Sequence, residues 1–336
     1  MSAEALYAIA AMFEVITLAA VTGMVIALAW LLPATHPHPA LPAMKSRIWL
    51  SYGLLLLVLV ATSFAGLLIR TASMADVTLM EAMPHLTTVL TQTHFGQVWL
   101  GRLVAITLAF IALFLHRRHT PSALVTASLA ILTFSFVIAT SGHTGEEGLF
   151  SLTNLANTVH IIGGMLWGGG ILVTAIIVLA RLCKLQPAPN DLIAHASLKL
   201  STLAAIALVM VLIPGVYNAY LLIGDLKGLW SSHYGVILTI KIVLVLIMMG
   251  LGALNRYTYV PATQTAARLP APDVPGIFKQ LFPKVDDDKA ARGFLRSLRI
   301  EGLVLIIVLA LAGWVSQQTP AVHALHDEHE HHHDHE

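Results

Sequence analysis

Between positions 74 and 94 the chain reads Met74-Ala-Asp-Val-Thr-Leu-Met80-Glu-Ala-Met83-Pro84-His85, with His94 nine residues further on. A thioether sulfur is a soft ligand that suits Cu(I), and zinc or nickel sites seldom use it, whereas imidazole serves copper, zinc and nickel alike. Met80 and Met83 stand at the i,i+3 spacing that puts two side chains on one helical face. Met83 and His85 set a sulfur and an imidazole two residues apart. The same spacing fits a short amphipathic helix whose methionines only fill gaps against other helices. Spacing alone leaves both readings open.

A second group closes the chain, which ends HALHDEHEHHHDHE, with His326, His329, His331, His332, His333 and His335 set among Asp and Glu. Such a tract binds divalent metal with modest selectivity, because a flexible chain imposes no geometry. The interleaved acids separate it from the plain histidine run of a purification tag; the bland alternative is a solvated tail. Cys183 is the one cysteine. It excludes an internal disulfide and a CxxC site, so a metal here relies on His, Met or carboxylate.

A third group, Glu14, Arg102, Asn157, His160 and Lys241, lies inside apolar sequence. Of the 336 residues 57% are apolar and 11% charged, with a mean hydropathy of +0.79. That is too little polar surface for a water-soluble domain. Eight apolar stretches, at 6–32, 48–69, 98–115, 123–140, 154–180, 198–223, 235–254 and 300–316, are each long enough to span a bilayer. The first has no basic segment before it and exceeds a secretory h-region, so it reads as a retained span. No alternating ten-residue pattern of a β-barrel occurs. The expected fold is therefore all-α, a bundle of eight transmembrane helices over 1–320 followed by a disordered metal-binding tail over 321–336.

Basic residues give the orientation. Lys45, Arg47, Arg117, Arg118, Arg181 and Lys184 follow the first, third and fifth spans, and eight more lie in the connection 255–299 after the seventh. Only Arg70 and Lys227 fall on the opposite side. The positive-inside rule then places both termini on the periplasmic or extracellular side and 255–299 in the cytoplasm. Within that connection Ala290–Leu298 reads as a short interfacial helix, with Arg292, Arg296 and Arg299 along lipid headgroups. His85, His94, His143, His160 and His233 come to the outer side, with the tail.

At 1.5 Å per residue Glu14 lies roughly 13 Å into its span, His160 and Lys241 roughly 9 Å, and Arg102 roughly 6 Å, all in the outer half. The inner half holds little beyond Glu301. Charges in hydrocarbon are costly and mark functional candidates, but Glu14 paired with Lys241 or Arg102 would serve packing instead. Asn157 precedes His160 by nearly one turn, and Gly163-Gly164 and Gly168-Gly169-Gly170 follow it, small residues that allow close helix approach.

Several segments, in order, resemble the CopD (PcoD) family of copper resistance membrane proteins. They are Thr93-His94-Phe95-Gly96 with Trp99-Leu100-Gly101-Arg102-Leu103, Ser141-Gly142-His143-Thr144-Gly145, and Val159-His160 through Gly163-Gly164-Met165-Leu166-Trp167-Gly168-Gly169. Tyr234-Gly235 leading to Lys241, Gly252-Ala253-Leu254-Asn255-Arg256 and Arg299-Ile300-Glu301 complete the set. The resemblance implies eight helices in the cytoplasmic membrane and a role in copper uptake from the periplasmic side. It also implies action beside a periplasmic CopC-type copper-binding partner. No such domain is fused here, and the 255–299 connection and the His-rich tail depart from the family pattern.

The function expected from these residues is copper transport, with the copper ion as cofactor and cargo. Met80, Met83, His85, His94 and His143 form an outer relay, His160 with Asn157 the membrane entry, and Met24, Met165, Met248 and Met249 candidate thioether steps further in. The partners expected are copper, a CopC-type protein and the lipid bilayer, with no nucleic acid. The alternatives are a membrane haem protein or oxidase-assembly factor, and a copper-binding sensor or scaffold that transports nothing. With His160 alone well inside a span, two axial histidines for haem are poorly supplied. No phosphate-binding loop and no nucleophile–base arrangement occurs, so neither ATP-driven transport nor enzymatic catalysis is expected.

Overall fold

The computed structural model describes residues 3–141, 148–223, 228–231 and 233–315. In hydrocarbon the backbone has no water to bond and closes its hydrogen bonds internally, so each apolar stretch folds as helix. Helix α1 (Ala3–Ile26) ends in a π turn at Ala27–Leu31 and is followed by α2 (Ala40–Ala75). Two 3₁₀ turns, Leu79–Glu81 and Met83–His85, lead into α3 (Leu86–Gln92) and α4 (His94–Arg117). Next come α5 (Ser122–Thr140), α6 (Leu152–Val173) with a π turn at Thr174–Val178, and α7 (Leu179–Leu182). The chain continues through α8 (Asn190–Ile223), α9 (Gly228–Ser231) and α10 (His233–Leu254). A π turn at Asn255–Tyr259, α11 (Val260–Ala266), α12 (Gly276–Leu281) and α13 (Asp287–Val315) complete it. Eight of these helical segments are long and apolar enough to cross a membrane, and the described residues include no strand.

Several helices outrun their apolar cores. The seventh span continues through the π turn to Ala266, and α13 begins at Asp287, so 267–286 with α12 is what separates them. The stretch expected as a separate interfacial helix is the first part of α13. A helix leaving hydrocarbon needs only one apolar face, and here Ala290, Phe294, Leu295 and Leu298 are buried while Arg292, Arg296 and Arg299 are exposed. Asp287 and Asp288 in the first turn suit the positive end of the helix dipole. Likewise α2, with 36 residues, runs roughly 54 Å, well beyond the ~30 Å hydrocarbon layer.

Helix α6 lies at the centre, against α1, α5, α8 and α13. Its approach to α1 depends on absent side chains. A Cβ on Gly169 would strike Ala19 O and the Gly23 backbone, and one on Gly23 would strike Gly169 O. Helices in lipid associate by such close backbone contact, since apolar side chains gain nothing there over lipid tails. On its other side Gly163 meets Ala207 and Met210 of α8.

Candidate metal site

The ion pair expected inside the bundle is present, and Arg102 is the partner. One Arg102 guanidinium nitrogen donates to both Glu14 oxygens, at 3.0 and 2.9 Å, and both side chains are 7% exposed. The contact ties α1 to α4, and Arg102 also lies over the Phe134 ring, 6.0 Å from its centroid. Lys241 pairs with no carboxylate among the described residues. The depth count that puts Glu14 and Arg102 at different levels neglects the length of the two side chains, which closes the gap.

The Lys241 charge is felt at His160 instead. The His160 imidazole is half-buried, and its Nδ1 lies 2.9 Å from Val211 O on α8. Pro214, inside α8, supplies no amide hydrogen to that turn, and Gly215 clears space for the ring, whose Cε1 comes within 3.0 Å of where a Cβ would stand. Since a carbonyl oxygen only accepts, Nδ1 carries the hydrogen and Nε2 keeps its lone pair. Nearly one turn along, Asn218 Nδ2 donates to Asn157 Oδ1 at 3.3 Å, and Asn218 Oδ1 is buried with no partner among the described residues. The Lys241 charge reaches this layer from α10. The glycines at 168–170 do not surround His160 as their proximity in sequence suggests; Gly169 serves α1, and Gly215 of α8 is the residue that opens the space.

The segment 79–85 forms two 3₁₀ turns, not a single amphipathic helix, and its donors face outward. Met80 is 93% exposed and Met83 55%, while Ala82 between them is fully buried and anchors the segment. A methionine so exposed packs against nothing, which removes the gap-filling alternative for Met80. The Glu81 carboxylate accepts from the Thr78 N–H at 3.1 Å and the Thr78 hydroxyl at 2.7 Å, closing the first turn. Those bonds hold the Glu81 carboxyl below its ordinary range. His85 and His94 are exposed too. Thr93 caps α4 by accepting from Gly96 N–H at 3.0 Å, and Gly96 has no side chain to obstruct the Val89 carbonyl of α3.

No three His, Cys, Asp or Glu side chains gather within reach of one metal ion among the described residues. A metal held here draws on Met sulfur or on His143 and the tail histidines, which lie outside the described residues. The chain leading to His143 is nevertheless pinned beside α6. Asn154, fully buried, donates to Thr140 Oγ1 at 3.1 Å and Leu149 O at 2.7 Å, joining the end of α5 to the start of α6. Asn154 escapes sequence reading because an amide near a span end looks like a boundary. Asn255, which donates to Glu301 at 2.8 Å, escapes it for the same reason, whereas Glu301 itself stands out in sequence as the ionisable group of the inner half.

A bundle of eight spans, with soft donors exposed at one end and buried polar layers within, defines a multi-pass α-helical membrane protein. Residues 1–152 match the family described as "Copper resistance protein D-like, N-terminal domain", and residues 194–315 match "Copper resistance protein D". The chain belongs to the copper resistance protein D (CopD) family and is a copper resistance membrane protein. It is similar to the Copper resistance protein D of Pseudomonas syringae pv. tomato, 25% identical over 279 residues that cover 80% of this chain and 84% of that one. It is also similar to the Inner membrane protein YebZ of Escherichia coli (strain K12), 26% identical over 234 residues, 68% of this chain and 71% of that one. No solved structure matches it.

Proposed function

We propose that this protein carries copper across the cytoplasmic membrane, taking it up at the face that bears Met80, Met83, His85 and His94. The observation that carries this reading is the His160 ring. Its Nδ1 is committed to the Val211 carbonyl at 2.9 Å, which leaves Nε2 as the ligand nitrogen at a depth where donors are otherwise scarce. A second bond that orients a ligating imidazole is the usual companion of a metal-binding histidine.

In this account the exposed loop captures the ion, with His143 and the tail raising its local concentration as tethered ligands do. Asn157 and Asn218 then replace water beside His160. Further along the bundle Met24, Met165 and Met248 are buried, each 4% exposed or less, and offer soft sulfur across the apolar middle. The Lys241 charge favours a singly charged ion, since it repels a divalent one twice as strongly at equal distance. Thioether donors point the same way, to Cu(I). A periplasmic CopC-type protein is the donor that the family resemblance suggests.

Two experiments test this reading. Leucine fills methionine's volume without its sulfur, so a packing role survives the swap and a ligand role does not. In a Cu(I) titration against a competing chelator, M80L/M83L is expected to bind at least about tenfold more weakly, about 1.4 kcal/mol. Affinity equal to wild type would remove the loop from the copper path. The direction of uptake rests on sidedness, which cysteine labelling reads. A cysteine at Ser151 is expected to react with an impermeant reagent in intact cells and one at Ala271 to be protected; the opposite pattern reverses the direction.

A further inference from the structure

The opposite end of the bundle contains a polar layer that the copper path leaves unused. Glu301 on α13 is 2% exposed, and Asn255 Nδ2 donates to its Oε2 at 2.8 Å. The Trp167 side chain of α6 hydrogen-bonds to the same carboxylate. Counted along α13, Glu301 lies roughly 21 Å from Val315. No Lys, Arg or His pairs with it among the described residues.

The charged and titratable groups on the elements around α13 are engaged elsewhere. Arg256 donates to Ser201 Oγ at 3.0 Å, and Arg181, Arg292, Arg296 and Arg299 are exposed. On α1, Glu14 is held by Arg102. Tyr257 stacks on Phe278 with centroids 4.2 Å apart, Tyr259 lies against Gly293 and Phe294, and the Cys183 thiol faces Ala291 O at 3.8 Å. His160 and Lys241 belong to the layer already described, and α11 carries no titratable residue.

At about the level of this carboxylate, four buried side-chain oxygens have no hydrogen-bond partner among the described residues: Asn255 Oδ1, Thr258 Oγ1, Ser297 Oγ and Thr174 Oγ1. Their residues are 6%, 4%, 6% and 0% exposed. Three contacts set their level. A Cβ on Gly252 would stand 3.9 Å from Glu301 Oε1, Tyr259 meets Gly293, and Leu172 lies 3.6 Å from the Cβ position of Gly302. Antiparallel α10 and α13 therefore bring Asn255 and Thr258 level with Ser297. Thr174, two residues past Leu172, joins the same layer. From Glu301, each hydroxyl steps toward the 267–286 connection.

An ionised carboxylate removed from water with no counter-charge is strongly disfavoured, so a bundle that keeps one must let a cation join it. Asn255 and Trp167 both turn N–H groups to the Glu301 carboxylate, and donor hydrogens aimed into a site disfavour a metal cation there. The remaining occupant is the smallest. We propose that Glu301 is a proton-binding site, taking one proton on its carboxylate at the level of the unpartnered oxygens of Asn255, Thr258, Ser297 and Thr174. The site stands on its own geometry; only the idea that its proton moves with copper rests on the transport reading.

The test is infrared spectroscopy of the full-length protein in liposomes without copper, titrated in pH and repeated in D₂O. Wild type is expected to show a carboxyl C=O band that comes and goes with pH, shifts in D₂O, and is missing from E301Q. N255L removes a donor that favours the ionised form, so it is expected to keep more of the band at the same pH. Persistence of the band in E301Q overturns the assignment, as does a wild-type protein that shows none while folded. Its loss on adding sodium would also overturn it, in favour of an alkali cation. Should E301Q fail to insert, N255L decides, and an unchanged band there counts against the site. H160A separates the two readings: normal copper binding in H160A beside a normal Glu301 band refutes the copper entry alone.

Discussion

Glu14→Gln is expected to lose about 3–5 kcal/mol of stability and to be recovered in low yield, because it leaves the Arg102 guanidinium buried and unpaired. Both side chains are 7% exposed and the two contacts are 3.0 and 2.9 Å, so no water is at hand to replace the carboxylate. Arg102→Leu is expected to destabilise for the mirror reason. Removing both charges together is expected to restore most of the loss, since replacing a buried pair with apolar groups is often neutral. Thermal unfolding in detergent, run as a double-mutant cycle, measures the coupling. If E14Q folds normally yet binds no copper, Glu14 is a ligand and not a strut between α1 and α4.

His160→Ala is expected to behave in the opposite way, folding and inserting normally while losing copper binding at the membrane layer by at least about a hundredfold, about 2.7 kcal/mol. Among the described residues the ring hydrogen-bonds to Val211 O alone, and it is only half-buried, so its removal strips little packing. His160→Gln, which offers an amide hydrogen in place of the ring N–H but no imidazole, is expected to keep stability and still lose copper. Melting temperature and chelator-competition titration of the two variants read the two effects separately. Equal copper affinity in wild type and H160A would make His160 a packing residue.

The contrast between these two sites shows what a sequence reveals. Eight spans were legible because a hydrocarbon layer demands about twenty apolar residues each time, and composition alone records that demand. The span ends were not, because α2 and α13 continue into water on one apolar face, where periodicity replaces continuous hydrophobicity. That Glu14 would find a cation was legible from the cost of leaving it alone. The choice of Arg102 over Lys241 was not, since it depends on which helices are neighbours. His160 stood out as an imidazole at depth, but its partner is a backbone carbonyl near Pro214, which leaves no side-chain signature. Glu301 stands out in the sequence as the ionisable group of the inner half, but its partner Asn255 does not, because an amide beside Arg256 resembles the edge of a span. The thioethers and imidazoles of 74–94 are recognisable by type, but that Met80 stands 93% exposed and packs against nothing is not.

The central claim is that copper crosses the membrane through this bundle and passes His160. The most direct measurement is copper entry into proteoliposomes that hold the protein in one orientation, with copper supplied as Cu(I) at the face bearing Met80 and Met83. Saturable entry well above that of empty liposomes, abolished in His160→Ala and retained at reduced affinity in M80L/M83L, is the expected result. Copper that binds the protein but enters no faster than into empty liposomes would contradict transport and leave a copper-binding scaffold.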